Sequence, residues 1–210
     1  NIIETPLLYD FYLSKKFDSN IFYKAENIQR TGSFKIRGAY NKIYNSITHH
    51  RPEGVLAWSS GNHAQGVAEA ANIFNLKATI VMPKDAPLIK IHGTKSRGAK
   101  VIFYDRKTEN REEIGINLAK KYNLLIIPPY DDKYVIAGQG TIGLEIIKQI
   151  RKYDLVPDKI LVPTGGGGLI AGIATAIKKI YKATNLYSVE PNNFSDYSKS
   201  LECMKIIKNN

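Results

Sequence analysis

Cysteine, tryptophan and acidic side chains are the scarce classes in this chain of 210 residues. The single cysteine, Cys203, has no partner for an intrachain disulfide, so a hydrophobic core rather than cross-links must hold the fold. No apolar run reaches the length that spans a bilayer, and no signal peptide opens the sequence. The four histidines, His49, His50, His63 and His92, lack zinc-site spacing. Internal repeats and Pro- or Ser-rich linkers are missing too. The expectation is a cytoplasmic protein with no membrane partner.

Acids number 19 against 30 lysines and arginines, a formal charge of +11. Such an excess can mark a nucleic-acid binder. Here, however, the lysines are scattered among Asn and Ile instead of forming a stripe, and no helix-turn-helix or RNA-binding signature accompanies them. No nucleic-acid partner is expected.

What is present is alternation. Short apolar segments at 21–24, 55–58, 78–82, 100–103, 124–127, 160–162 and 187–190 read as strands, separated by helical stretches. This is the pattern of an α/β protein with mostly parallel sheets.

Three turns carry chemistry. Thr31-Gly32-Ser33-Phe34-Lys35 precedes a helix expected over about 34–44, with Ser33 as N-cap and Phe34 beside the Lys35 amine. A lysine that forms a Schiff base must first lose its proton, which a partly desolvated position encourages. Far downstream, Gly165-Gly166-Gly167-Gly168 lies between the strand Ile160-Leu161-Val162-Pro163 and an apolar helix expected over 169–180. Backbone N–H groups of such a turn can face an anion without side chains intervening. A P-loop is excluded, because Leu169 and Ile170 follow Gly168 where Lys and Ser or Thr are required. The dinucleotide fingerprint stays open on these residues alone: 166–171 fits G-x-G-x-x-A, and Glu190 ends the next strand. The third turn, Ser59-Ser60-Gly61-Asn62-His63, follows strand 55–58 and opens a helix expected to run to about Phe74. It gathers hydroxyls, an amide and free N–H groups, suits a carboxylate, and leaves Asn62 able to bind a phenolic or carbonyl oxygen on a cofactor ring.

Taken with Thr5-Pro6-Leu7, the run from Lys24 to Ala39, Met82-Pro83 and Val135-Ile136-Ala137-Gly138-Gln139-Gly140-Thr141, these turns resemble the fold-type II pyridoxal-phosphate enzymes of tryptophan-synthase-β-like fold. The likeness spans almost the whole chain and is greatest to the serine/threonine dehydratase (ammonia-lyase) branch that includes serine racemase. It implies two α/β domains: a cofactor domain from 1–52 and 135–210, and an inserted domain from 53–134. It implies pyridoxal 5'-phosphate bound covalently by Lys35, flanked by Phe34, contacted at its ring oxygen by Asn62 and held at its phosphate by Gly165, Gly166, Gly167, Gly168 and Leu169. An amino-acid substrate would rest on Ser59, Ser60, Gly61, Asn62 and His63. Dehydration of L-threonine or L-serine to 2-oxobutanoate or pyruvate and ammonia would follow.

Ser60 also resembles the serine of serine racemases, whose hydroxyl passes a proton on the face opposite the lysine, so racemisation stays open. The stretch Tyr104-Asp105-Arg106-Lys107-Thr108-Glu109-Asn110-Arg111-Glu112-Glu113 resembles a hydroxyectoine-pathway dehydratase branch, and Arg111 matches a racemase arginine near the substrate carboxylate. Glu190, the carbonyl of Phe194 and Asp196 resemble a divalent-cation site of racemases and related dehydratases, with oxygen ligands suited to Mg2+ or Ca2+. Family members continue well beyond Asn210, so the chain reads as C-terminally truncated. The part beyond normally faces the pyridine nitrogen and makes much of the dimer contact, so a homodimer or homotetramer is expected only at full length. A truncated, non-catalytic ligand-binding protein and, more distantly, a dinucleotide oxidoreductase remain the alternatives.

Overall fold

A computed structural model describes residues 1–49 and 51–207. His50, one of the four histidines considered above, and residues 208–210 lie outside the described residues. In chain order the elements are β1 (Leu7–Tyr9), α1 (Phe11–Phe17), β2 (Phe22–Lys24), α2 (Lys35–Ile47), β3 (Gly54–Trp58), α3 (Asn62–Ile73), β4 (Lys77–Pro83), α4 (Leu88–Lys95), β5 (Lys100–Tyr104), α5 (Arg111–Tyr122), β6 (Leu124–Ile126), α6 (Lys133–Ile150), β7 (Lys159–Pro163), α7 (Gly168–Ile180), β8 (Asn185–Val189) and α8 (Asp196–Glu202). All seven expected strands are present; the three-residue β1 is the addition. No described helix is long and apolar enough to cross a membrane.

The chain forms two compact units. The first comprises Asn1–Ile3 and Glu26–Pro129, and so takes in the Lys35 helix as well as residues 54–126. Its sheet has the order β5-β4-β3-β6, with every pairing parallel. The central strand β3 reads Gly-Val-Leu-Ala-Trp, apolar throughout, as a parallel strand covered on both faces requires. Ile36, Ala39 and Ile43 of α2 share a core with Ala64, Val67, Ala68 and Ala71 of α3, whose small side chains let the two helices approach closely. Arg37 is buried in this unit without strain on solvation, because Glu26 meets its guanidinium at two points, Nε–Oε2 and Nη2–Oε1, both 2.8 Å.

The second unit comprises Glu4–Ala25 and the chain from Tyr130 onward. It contains the antiparallel pair β1/β2, the parallel pair β7/β8, and α6 packed on α7. Glycine sets that helix contact: a Cβ on Gly172 would lie 2.4 Å from the Ile136 carbonyl oxygen and 2.6 Å from the Gly140 nitrogen. Lys24 is buried against Glu145 (2.6 Å) and Gln149 (2.9 Å).

Candidate active site

In the first unit, Lys35 reaches the chain just beyond a strand C-terminus. The lysine is the first residue of α2, and its Nζ donates to the Pro129 carbonyl at 2.7 Å, just beyond β6. Burial pushes its amine down from 10.5 to about 8. The Phe34 ring, 5.2 Å from Nζ, is the opposing influence, since an aromatic face favours the cation. At pH 7 about a tenth of the amine is therefore neutral, against well under a thousandth for a free lysine.

Ser33 does not cap α2. The residue at the cap position is Phe34, already in helical conformation, and the Ser33 hydroxyl is buried without a hydrogen-bond partner among the described residues. Gly32 takes φ +70°, and Phe34, at the cap position, is helical and makes no side-chain capping bond.

The Ser59–His63 turn is built as expected after β3. Ser59 Oγ accepts from the Gly61 N–H at 3.2 Å, and the N–H groups of Ser60, Asn62 and His63 have no acceptor among the described residues. The Ser60 hydroxyl is likewise uncommitted. The His63 side chain, by contrast, turns inward. It is 4% exposed, and its Nε2 meets the Ile127 carbonyl at 2.8 Å. Burial, aided by the nearby Lys35 charge, pushes the imidazole down to about 4 despite that carbonyl. The neutral ring therefore carries its proton on Nε2, and Nδ1 is an acceptor with no partner among the described residues. Asn62 is exposed, with Oδ1 accepting from Lys90 Nζ at 3.0 Å. Arg111 starts α5 on the surface and makes no side-chain bond among the described residues.

In the second unit the glycine turn follows β7. Across 165–170 no backbone N–H finds a protein acceptor among the described residues; the next, on Ala171, donates to the Gly167 carbonyl. Gly167 takes φ +79°, which a side chain would resist, and Gly166 has the Tyr130 ring 2.3 Å from where a Cβ would stand. Tyr197 of α8 approaches Gly167 in the same way, at 2.7 Å. Leu169 lies half-buried in the first turn of α7.

Comparison with known proteins supplies the family. A model described as "Pyridoxal-phosphate dependent enzyme" matches residues 1–209. The chain belongs to that family. L-threo-3-hydroxyaspartate ammonia-lyase of Saccharomyces cerevisiae is 42% identical over 204 residues, 97% of this chain and 61% of that protein. The catabolic L-threonine dehydratase of Staphylococcus aureus is 46% identical over 200 residues, 95% of this chain and 57% of that one. Among solved structures, maize serine racemase superposes with a TM-score of 0.93 at 36% identity, covering 99% of this chain and 62% of that one. The chain thus spans about three fifths of the length of the relatives it matches. Its α/β architecture is that of fold-type II members of the pyridoxal-phosphate family.

Each unit has groups that fit part of the family's cofactor. The successive unpaired N–H groups of 165–170 suit a phosphate, and a buried amine held near 8 suits an aldehyde. At the expected divalent-cation site the side chains of Glu190 and Asp196 lie together, and Glu190 also has protein donors. Glu190 follows β8, and its carboxylate is committed: Oε1 accepts from the Tyr197 N–H (3.0 Å), and Oε2 from the Ser198 N–H (2.9 Å) and hydroxyl (2.7 Å). Burial pushes this carboxyl up, but the bonds from Ser198, Tyr197 and Asp196 outweigh it and hold it below the usual range. Phe194 is exposed, and Asp196 begins α8. Glu190 therefore holds the first N–H groups of α8 beside the Asp196 side chain.

Sequence reasoning missed Lys90, Tyr130, Tyr197 and the two carbonyls of Ile127 and Pro129. Tyr130 and Tyr197 had a signal, since glycines in succession ask what packs on them; carbonyls and a lone helical lysine had none.

Proposed function

We propose that this chain carries the catalytic amine and anion-binding turns of a threonine/serine ammonia-lyase, which eliminates the β-hydroxyl of L-threonine or L-serine as water and takes up one water again as ammonia leaves, giving 2-oxobutanoate or pyruvate. The single observation that carries the reading is the desolvated Lys35 amine, held near pKa 8 with one fixed acceptor. When bound, pyridoxal phosphate supplies an electron sink for the α-carbon of the substrate. The chain does the rest. Its 165–170 N–H groups hold the phosphate, and hydrogen bonds to charged oxygens are worth roughly 1.5 to 3 kcal/mol each. The N–H groups of Ser60, Asn62 and His63 hold the substrate carboxylate. Lys35, once free and neutral, takes the α-proton, which a protonated lysine could not do.

A second reading on the same residues is serine racemisation. It is favoured by the uncommitted Ser60 hydroxyl, which would return a proton opposite Lys35, and by the likeness to maize serine racemase. A third substrate enters through the yeast relative, L-threo-3-hydroxyaspartate. Cytoplasmic location, a homodimer or homotetramer of the whole protein, a carboxylate contact from Arg111 and a domain division at 52/53 and 134/135 remain parts of this proposal.

The deciding experiment adds pyridoxal phosphate to the purified chain and to Lys35→Ala, records the visible spectrum, and then supplies each amino acid. A band that requires Lys35, followed by 2-oxo acid without D-serine, supports dehydration. D-serine without 2-oxo acid supports racemisation. No Lys35-dependent band in folded protein rejects both.

A further inference from the structure

The contact between Lys90 and Asn62 has no place in the reaction outlined above, yet its chemistry is unambiguous. Asn62 opens α3, and Lys90 lies in the first turn of α4, where its carbonyl accepts from the buried Thr94 hydroxyl at 2.8 Å. Lys90 Nζ stands 3.0 Å from Asn62 Oδ1. An ammonium can only donate, and of the two amide atoms only the oxygen can accept. The amide is therefore oriented by its neighbour: Oδ1 faces Lys90 and Nδ2 faces away. Both Nδ2 hydrogens are without an acceptor among the described residues.

We infer that Lys90 is a positioning residue that fixes the polarity of Asn62, so that this corner of the first unit presents a donor and selects a ligand bearing an ionised oxygen on its ring. Without the lysine, the amide is free to rotate and offer its carbonyl, which repels such an oxygen. The lysine acts through Asn62 and touches no reacting atom. The inference rests on the cofactor reading above, because the pyridoxal ring oxygen is the acceptor it names.

The test uses the full chain with pyridoxal phosphate as probe, in wild type, Lys90→Met, Lys90→Arg, Asn62→Ala and the double variant Lys90→Met/Asn62→Ala. Two readouts are followed: the dissociation constant, and the balance between the long-wavelength band of the ionised ring oxygen and the short-wavelength band of the protonated one. Lys90→Met is expected to weaken binding about tenfold, the scale of one hydrogen bond to a charged group, and to shift the balance to the short-wavelength band. Lys90→Arg restores both, and the double variant is no worse than Asn62→Ala. A Lys90→Met spectrum identical to wild type overturns the inference, as does an undiminished Lys90→Met effect in the Asn62→Ala background. No band with the folded wild-type chain is a different failure: it removes the cofactor reading, and this inference with it.

Discussion

Two neighbouring side chains of the first unit have been moved in the same direction by burial, with opposite uses. Lys35 held near 8 becomes a nucleophile at ordinary pH. Acylation of the free chain by an amine reagent, read by peptide mass spectrometry, should level off for Lys35 just above pH 8, while surface lysines continue to gain reactivity toward 10.5. His63 near 4 stays neutral and serves as a strut, its Nε2 proton holding the Ile127 carbonyl two residues before the carbonyl that receives Lys35. The sign of its effect on stability follows. Because its folded value lies below the ordinary 6.5, the unfolded chain takes the proton first, so stability is whole above about 6.5, falls between 6.5 and 4, and levels below. The loss amounts to about 3 kcal/mol at most. Denaturant midpoints measured across that window should show it, and His63→Gln, which keeps a donor, should flatten it.

Among the elements, the glycine turn and the helices around it separate packing from ligand binding. Gly172→Ala drives a methyl into backbone on both sides, where nothing can give, and should lower stability by about 1 to 3 kcal/mol, visible as a fallen melting temperature. Gly165→Ala meets open space and should leave melting unchanged. Glu190→Ala removes the acceptor for the first N–H groups of α8, so amides of 197–202 should exchange faster with deuterium while those of β7 do not change. Acid should loosen α8 similarly, since a carboxyl whose value is depressed loses its contribution as pH falls through that folded value. Much of this scale was readable from sequence. Runs such as Val55-Leu56-Ala57-Trp58 have only one way to be buried, and a glycine turn between strand and helix declares its N–H groups. β1 escaped notice because a strand of three residues is too short to show a period. The bonds from Glu190 to α8 escaped because a side chain that reaches seven residues forward leaves no period in the sequence.

For the molecule as a whole, the two units differ in how well each buries its own sheet. The first has four parallel strands with β3 almost wholly covered; the second has two short pairs, and Leu161, Tyr187 and Val189 on β7 and β8 are exposed. Parallel strands are ordinarily covered on both faces, and in this chain of 210 residues the first unit has the better-covered sheet. The only tryptophan, Trp58, ends β3 in the first unit with its ring where a Gly115 Cβ would stand, and its fluorescence reports that unit alone. On heating, the far-ultraviolet signal should begin to fall before Trp58 emission changes; coincident transitions would show a single cooperative body. One further feature of the first unit is the absence of a methyl group at Gly66, where a Cβ would stand 2.9 Å from the Ile36 nitrogen and 3.0 Å from the Lys35 carbonyl carbon. The backbone that bears the amine is thereby indexed against the helix that opens with the Ser59–His63 turn, as two gears are by a single tooth. Any change of size at position 66 resets the reach of the lysine, so this site is where the family's freedom to vary should be narrowest, narrower than at residues that touch the substrate.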